Sequence, residues 1–274
     1  MRAMLGALLG MLAVVTSAWA DEPPESWRLG VFPIVTPVTL FKRFAALRDY
    51  LAERLDHPLE LETARDFPTF VRRTTQRRYH LLITAPHFAV RAVDEGHYRI
   101  VASLKQALRG LYVVRTDSPI ERLQQLAGRA LATPPPQALI TAAGRLDLEQ
   151  EVGLRGERAP RYLTFRSHNA AYQAVLGGQA EAAVVSANAV RAALARGTPL
   201  RVIGQTRPLP NMAFLVARSL GEATARRVVA ALVALEDTDD GRRVLRRLGF
   251  PGYRPAGIED YEVLRPYLRL LRAP

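Results

Sequence analysis

The sequence predicts an α/β protein, with mostly parallel sheets flanked by helices, on three observations. From Trp27 onward, short runs rich in aliphatic and β-branched residues alternate with longer runs of helical periodicity, the pattern of strands joined by crossover helices. A hydroxyl residue recurs where an apolar run ends and a helical one begins. No low-complexity tract, internal repeat or long linker breaks the alternation.

The first twenty residues stand apart from this pattern. Met1-Arg2 gives a positive start, Leu5 to Val15 is an uncharged apolar run, and Ala18-Trp19-Ala20 places small residues at the two positions a signal peptidase reads. Residues 1–20 therefore read as a secretory signal peptide cleaved before Asp21. The apolar run falls short of the ~20 residues a membrane span needs, so no membrane insertion is expected after cleavage. The mature chain of 274 − 20 = 254 residues carries +11, because Arg2 is the one charge removed from +12.

The strands expected in the mature chain are Arg28–Phe32, Leu59–Thr63, Tyr79–Ile83, Arg99–Leu104, Leu111–Arg115, Arg129–Ala132, Arg161–Arg166, Ala182–Val185, Leu200–Gly204 and Ala213–Ala217. Helices fill the intervals. Phe41, Phe44, Ala45, Leu47, Leu51 and Leu55 recur at helical spacing, as do Leu123 with Leu126, and Val190 with Ala193 and Leu194. Ser118-Pro119-Ile120-Glu121 reads as a capping box with proline at the first helical position, and Gly128 as the closing residue of that helix. Arg72-Arg73 with Arg77-Arg78, and Arg242-Arg243 with Arg246-Arg247, recur four residues apart and read as solvated helix faces.

Composition narrows the chemistry. With 49% hydrophobic residues the chain can bury a normal core, and with no cysteine it has no disulfide, thiolate metal site or cysteine nucleophile. The 38 basic residues outnumber 26 acidic ones, and only Lys42 and Lys105 are lysines. In an exported protein such a balance points to small anions or acidic surfaces rather than nucleic acid.

Four strand exits carry related sequences: Thr36-Pro37, Thr84-Ala85-Pro86, Thr133-Pro134 and Ser167-His168. Each hydroxyl is placed to cap the helix that follows. In open α/β sheets such exits lie at the carboxyl edge, where free backbone N–H groups and helix dipoles favour anions. A basic, exported α/β protein with four such exits has the features of a small-oxyanion receptor.

The same segments resemble the periplasmic solute-binding proteins of phosphate, phosphite and phosphonate ABC transporters, within the type II periplasmic binding fold. The likeness rests on Leu29-Gly30-Val31-Phe32-Pro33, on Tyr79-His80-Leu81-Leu82-Ile83-Thr84-Ala85-Pro86-His87-Phe88, and on Leu111-Tyr112-Val113-Val114-Arg115-Thr116-Asp117-Ser118-Pro119-Ile120 leading to Leu126-Ala127-Gly128-Arg129. It continues through Phe165-Arg166-Ser167-His168-Asn169-Ala170-Ala171 and Gly178-Gln179-Ala180-Glu181-Ala182-Ala183 to Gly249-Phe250 and Tyr261. The resemblance implies two lobes, each a mostly parallel sheet flanked by helices, joined by two crossing segments with ligand held between them. Lobe 1 would comprise residues 21–109 plus 208–274, and lobe 2 residues 110–207, with crossings near Leu108–Val113 and Thr206–Phe214.

Three positions depart from the family pattern. Thr133-Pro134-Pro135-Pro136-Gln137 replaces a serine/threonine-rich loop ending in glycine, Ala89 stands where an aromatic is usual, and Glu181 where aspartate is usual. The prolines lack N–H groups, so this turn offers fewer anion donors than the family's own. Thr36, Thr84, Thr133, Ser167 and His168 line up with helix-start positions that contact ligand in the family. His87, following Pro86, is an added imidazole donor, expected like His168 to act more effectively when protonated. Gln137 can replace a lost hydroxyl with its amide, Ser186 ends another apolar run at a carboxyl edge, and Tyr112 on a crossing strand is expected to pack in the core.

The expected role is a periplasmic binding protein that captures a small oxyanion, phosphate- or phosphonate-like, for an inner-membrane ABC permease. The alternative is a periplasmic sensor presenting the anion to a membrane histidine kinase. A hydrolase comes third, because no nucleophile–base, zinc or P-loop motif occurs. No catalytic residue, metal or cofactor is implied.

Overall fold

The computed structural model describes residues 26–271; the signal peptide expected over residues 1–20 lies outside them. The strands are β1 (Trp27–Val31), β2 (Leu59–Glu62), β3 (Leu81–Thr84), β4 (Tyr98–Leu104), β5 (Gly110–Arg115), β6 (Ala130–Thr133), β7 (Arg161–Thr164), β8 (Ala182–Ser186), β9 (Leu200–Gln205), β10 (Ala213–Ala217) and β11 (Tyr253–Pro255). The helices are α1 (Pro37–Leu55), α2 (Phe67–Thr75), α3 (Pro86–Asp94), α4 (Leu139–Gln150), α5 (His168–Leu176), α6 (Ala187–Leu194), α7 (Gly221–Val233), α8 (Asp239–Leu248) and α9 (Arg265–Leu268).

Two sheets form, in the orders β11-β4-β10-β3-β1-β2 and β7-β6-β8-β5-β9. β1, β2, β3 and β4 share one direction in the first sheet, and β6, β7, β8 and β9 share one in the second. β10 and β5 run against their neighbours because each belongs to a chain segment arriving from the other sheet. β10 enters with Ala213 opposite Thr84, the last residue of β3, and β5 enters with Gly110 opposite Ser186, the last residue of β8. An antiparallel strand in that slot lets the chain cross between sheets by short segments, where a parallel one would need a long return.

The period-two alternation of the strands sorts side chains between the two faces of each sheet. In the first, Leu29, Val31, Leu81, Ile83, Phe214 and Val216 pack with Leu40, Phe44 and Leu47 of α1 and with Val228 of α7 and Leu245 of α8. Leu82, Leu215 and Ala213 point the other way, to Phe70 of α2, Ala89 and Val90 of α3, and the C-terminal Tyr261 and Leu264. In the second sheet Val113, Ala132, Ala183 and Val185 meet α5 and α6 through Ala171, Val175 and Val190. Tyr112, Val114, Leu131 and Val184 meet Ile140 and Leu148 of α4. Tyr112 is core, as expected, with its hydroxyl donating to the Gly144 carbonyl at 2.8 Å. Each aliphatic side chain so buried contributes about 1.5–3 kcal/mol relative to exposure.

Two local expectations are corrected, and one strand was not expected. Ser118–Glu121 does not open an α-helix: Gln125 Oε1 accepts from the N–H groups of Glu121 and Arg122, and only a 3-10 turn, Leu123–Leu126, forms before Gly128 at φ +66°. A helix confined between Pro119 and Gly128 is too short to repay its nucleation. Arg77 and Arg78 lie past the end of α2, where Arg77 adopts φ +58° and Arg78 pairs with Glu62. The edge strand β11 has only three residues, one a proline, and carries too little pattern to be read in sequence.

Candidate functional site

The strand registers position the site. β3 and β8 end at Thr84 and Ser186, beside the first residues of β10 and β5. The chain therefore crosses between the sheets, through residues 105–109 and 206–212, at the carboxyl edges of both. Leu108 and Leu209 exchange N–H···O bonds at 2.8 and 2.9 Å, and the Gly110 N–H donates to Thr206 Oγ1 at 2.9 Å. These bonds clamp the crossings to each other.

On the first sheet Thr36, Thr84 and His87 stand at this carboxyl edge. Thr36 occupies the N-cap of α1 without a side-chain cap bond; its hydroxyl lies 2.9 Å from that of Thr39. The N-cap of α3 is Ala85, so Thr84 is not the capping residue expected from sequence. Thr84 is instead buried as the last residue of β3, its Oγ1 unpartnered among the described residues and lining a cavity of about 10 Å³, room for about one water. His87 in the first turn of α3 is buried with neither ring nitrogen partnered among the described residues, and burial pushes its pKa down to about 4.

On the second sheet stand Thr133, Gln137, Ser167, His168 and Ser186. Thr133 ends β6, fully buried, its hydroxyl 3.5 Å from the Leu163 carbonyl. It is not an N-cap either, because α4 begins only at Leu139. The prolines force this delay, since Pro135 and Pro136 hold the residues before them out of helical geometry, and Thr141 Oγ1 donates back to the carbonyls of Pro134 and Pro135. Gln137 lies half-buried in that loop. Ser167 caps α5 as expected, accepting from the Ala170 N–H at 3.0 Å, and Ser186 caps α6, accepting from Ala189 at 3.4 Å.

His168 and Ser186 are joined directly: the Ser186 N–H donates to His168 Nδ1 at 3.1 Å. An accepting Nδ1 carries no proton, so the neutral ring holds its proton on Nε2. Burial pushes this pKa, too, down to about 4. Contrary to the sequence expectation, both imidazoles at these edges are neutral near pH 7. Glu181 lies away from them, at the amino end of β8, where it accepts from the Ala130 N–H at 2.6 Å. Among the described residues no group of three His, Cys, Asp or Glu could hold a metal, and no helix is long and apolar enough to cross a membrane.

Sequence reasoning missed Thr206 and Tyr261 as residues that brace the crossings. Their partners, Gly110 for the first and Ser103 and Asn211 for the second, are distant in sequence, and no local pattern signals such pairings.

Solved structures share this architecture. XAC2383 from Xanthomonas citri, solved bound to chloride ion, is 18% identical with TM-score 0.74, covering 90% of this chain and 97% of its own. PhnD1 from Prochlorococcus marinus, in complex with methylphosphonate, is 15% identical with TM-score 0.74, covering 90% and 98%. The periplasmic aliphatic sulphonate binding protein SsuA from Escherichia coli is 18% identical with TM-score 0.61, covering 91% and 84%. These likenesses show the type II periplasmic binding fold. Residues 29–261 also match the family described as "ABC transporter, phosphonate, periplasmic substrate-binding protein". With most of its length matched, and with two sheets joined by two crossings, the chain belongs to the phosphonate family of periplasmic substrate-binding proteins of ABC transporters.

Proposed function

We propose that the protein captures a small oxyanion, phosphate- or phosphonate-like, between a lobe of residues 21–109 plus 208–274 and a lobe of residues 110–207. It delivers that anion to an inner-membrane ABC permease and catalyses no reaction. Its family binds small ligands for such permeases in the periplasm, and cleavage of residues 1–20 would release the chain there. The observation that carries the reading is the placement of hydroxyl and imidazole donors at the carboxyl edges of both sheets, beside both crossings. An anion between the edges would take hydrogen bonds from Thr36, Thr84 and His87 on one side, and from Thr133, Gln137, Ser167, His168 and Ser186 on the other. Neutral donors suit this task, since hydrogen bonds to an anion are charge-assisted through the ligand's own charge.

PhnD1 was solved with methylphosphonate, which makes that compound the first probe. The sensor alternative draws no support from these relatives. Calorimetry against phosphate, phosphite, methylphosphonate, sulfate and a panel of neutral sugars tests the proposal: one or more oxyanions should bind and the sugars should not. Tight binding of an uncharged sugar with no oxyanion binding would end it.

A further inference from the structure

Resting on this oxyanion reading, we infer that Arg109 is the site's positive charge: its guanidinium pairs with the bound anion. The two crossings carry basic residues, and Arg109 is the one set where β5 begins. Its backbone is fixed on every side. Leu108 is bonded both ways to Leu209, Gly110 is bonded to Thr206 through its N–H and its carbonyl, and the Arg109 carbonyl accepts from the Ala187 N–H at 2.9 Å. Ala187 opens α6 directly after Ser186, whose own N–H is given to His168. The arginine thus sits one residue from the pair that joins α5 to β8.

The direction of the side chain follows from its neighbours. A Cβ placed on Gly110 would meet Ile140 of α4 at 3.0 Å and Val184 at 3.3 Å, so position 110 faces α4. Leu111 packs with the opposite cluster, under α5 and α6. Alternation along the strand puts Arg109 on the face of Leu111, at the end of the sheet where α5 and α6 begin.

The remaining observation is charge balance. Arg207, on the second crossing, is neutralised by Asp147 at 3.0 Å. Arg166, beside Ser167, has no ion pair among the described residues but is exposed. Arg115 and Arg201 lie at the opposite, amino edge of the sheet, where Arg115 pairs with Asp117 at 2.5 Å. Arg201 donates to the carbonyls of Ser118 and Ile120. Arg109 is half-buried and has no ion pair or side-chain hydrogen bond among the described residues. An arginine without a carboxylate partner is open to a counter-charge, and a cleft anion is such a counter-charge. The same arginine offsets the amide donors that Pro134, Pro135 and Pro136 remove from the turn after β6.

Calorimetry of the mature protein with methylphosphonate and with inorganic phosphate, at low and at high salt, tests the assignment on wild type, Arg109→Gln and Arg109→Lys. Arg109→Gln should lose roughly tenfold to hundredfold in affinity, Arg109→Lys should keep part of it, and the salt dependence of the wild type should flatten in the glutamine variant. The thermal midpoint of Arg109→Gln should stay level or rise, a readout that a merely structural arginine would move downward. If the wild type binds either probe and Arg109→Gln binds it equally well, this inference fails while the oxyanion reading stands. If the wild type binds neither, both fail.

Discussion

The backbone N–H of Ser186 donates to Nδ1 of His168 across 3.1 Å, tying the first residue of α5 to the last residue of β8. The bond requires an unprotonated Nδ1. A proton placed there would set two donors against each other and break the link, so acid acts on this edge through a defined atom.

Stability should therefore fall in mild acid. The pKa of His87 and of His168 is about 4 in the folded protein, against roughly 6.5 in an unfolded chain. Between those values the unfolded state binds more protons, so folding stability is highest above pH 6.5 and declines as pH drops toward 4. At full effect each group accounts for on the order of 3 kcal/mol. The carboxylates with lowered pKa, Asp66, Asp117, Asp239, Asp260 and Glu262, act at the acid end of this window and below it. Urea midpoints measured at pH 7 and pH 5 isolate the imidazoles: the midpoint should fall in the wild type and fall less in His87→Leu. Equal wild-type midpoints would contradict the assignment.

Two hydroxyls at the second sheet's edge should separate stability from binding. Ser167 Oγ holds the Ala170 N–H at 3.0 Å, and Ser167→Ala should cost about 1 kcal/mol of stability. Thr133 reaches the Leu163 carbonyl only at 3.5 Å, a weak bond, and Thr133→Val keeps its shape; its stability should change by less than that of Ser167→Ala. On the oxyanion reading both variants lose roughly tenfold to hundredfold in affinity. Thermal melts beside calorimetry distinguish the two effects, and a Thr133→Val protein less stable than Ser167→Ala would show that the threonine is structural.

Much of this fold is legible in sequence because apolar alternation reports burial directly. Leu81-Leu82-Ile83 and Val113-Val114 are apolar on both faces, and both faces are covered by helices. The carboxyl-edge position of Thr84, Ser167 and Ser186 followed from where the apolar runs stop. The caps were less legible. Pro134, Pro135 and Pro136 push the start of α4 to Leu139, and Ala85 takes the N-cap that Thr84 was expected to fill; a hydroxyl before a proline does not by itself mark the cap. The protonation of His87 and His168 was not legible, because it depends on burial by residues far away in the chain.

Gly30 illustrates a constraint that only the structure exposes. A Cβ there would lie 2.5 Å from Cγ of Tyr79, whose ring stacks on Phe70 at 5.2 Å within the core between the first sheet and α2. Gly30→Ala must displace a buried aromatic ring and should destabilise by about 1–3 kcal/mol. Gly96, at φ +80° with open space around it, provides the contrast: Gly96→Ala meets only backbone strain, about 1 kcal/mol. Denaturant unfolding of both variants should rank Gly30→Ala as the more damaging, and the reverse order would mean that Tyr79 yields freely.

The Tyr261 hydroxyl lies 2.9 Å from Ser103 Oγ and 2.9 Å from the Asn211 carbonyl. Having one proton, it donates to the carbonyl and accepts from the serine. Ser103 belongs to the end of β4, just before the first crossing, and Asn211 to the second, where its side chain also donates to the Gln106 carbonyl at 2.9 Å. One buried ring thus fastens the C-terminal segment to the roots of both crossings, the positions about which two lobes would turn. Tyr261→Phe leaves the buried Ser103 hydroxyl and the part-buried Asn211 carbonyl each short of a bond and should cost about 1–3 kcal/mol of stability. If the lobes close on an anion by a hinge at these crossings, the wild type should contract in small-angle scattering when an oxyanion saturates it. Tyr261→Phe should still contract, because the ring keeps its packing, but from an average radius of gyration without anion that is at least as large as the wild type's. An unchanged unfolding free energy would remove the hydroxyl from the hinge, and a wild type that does not contract would remove the hinge itself.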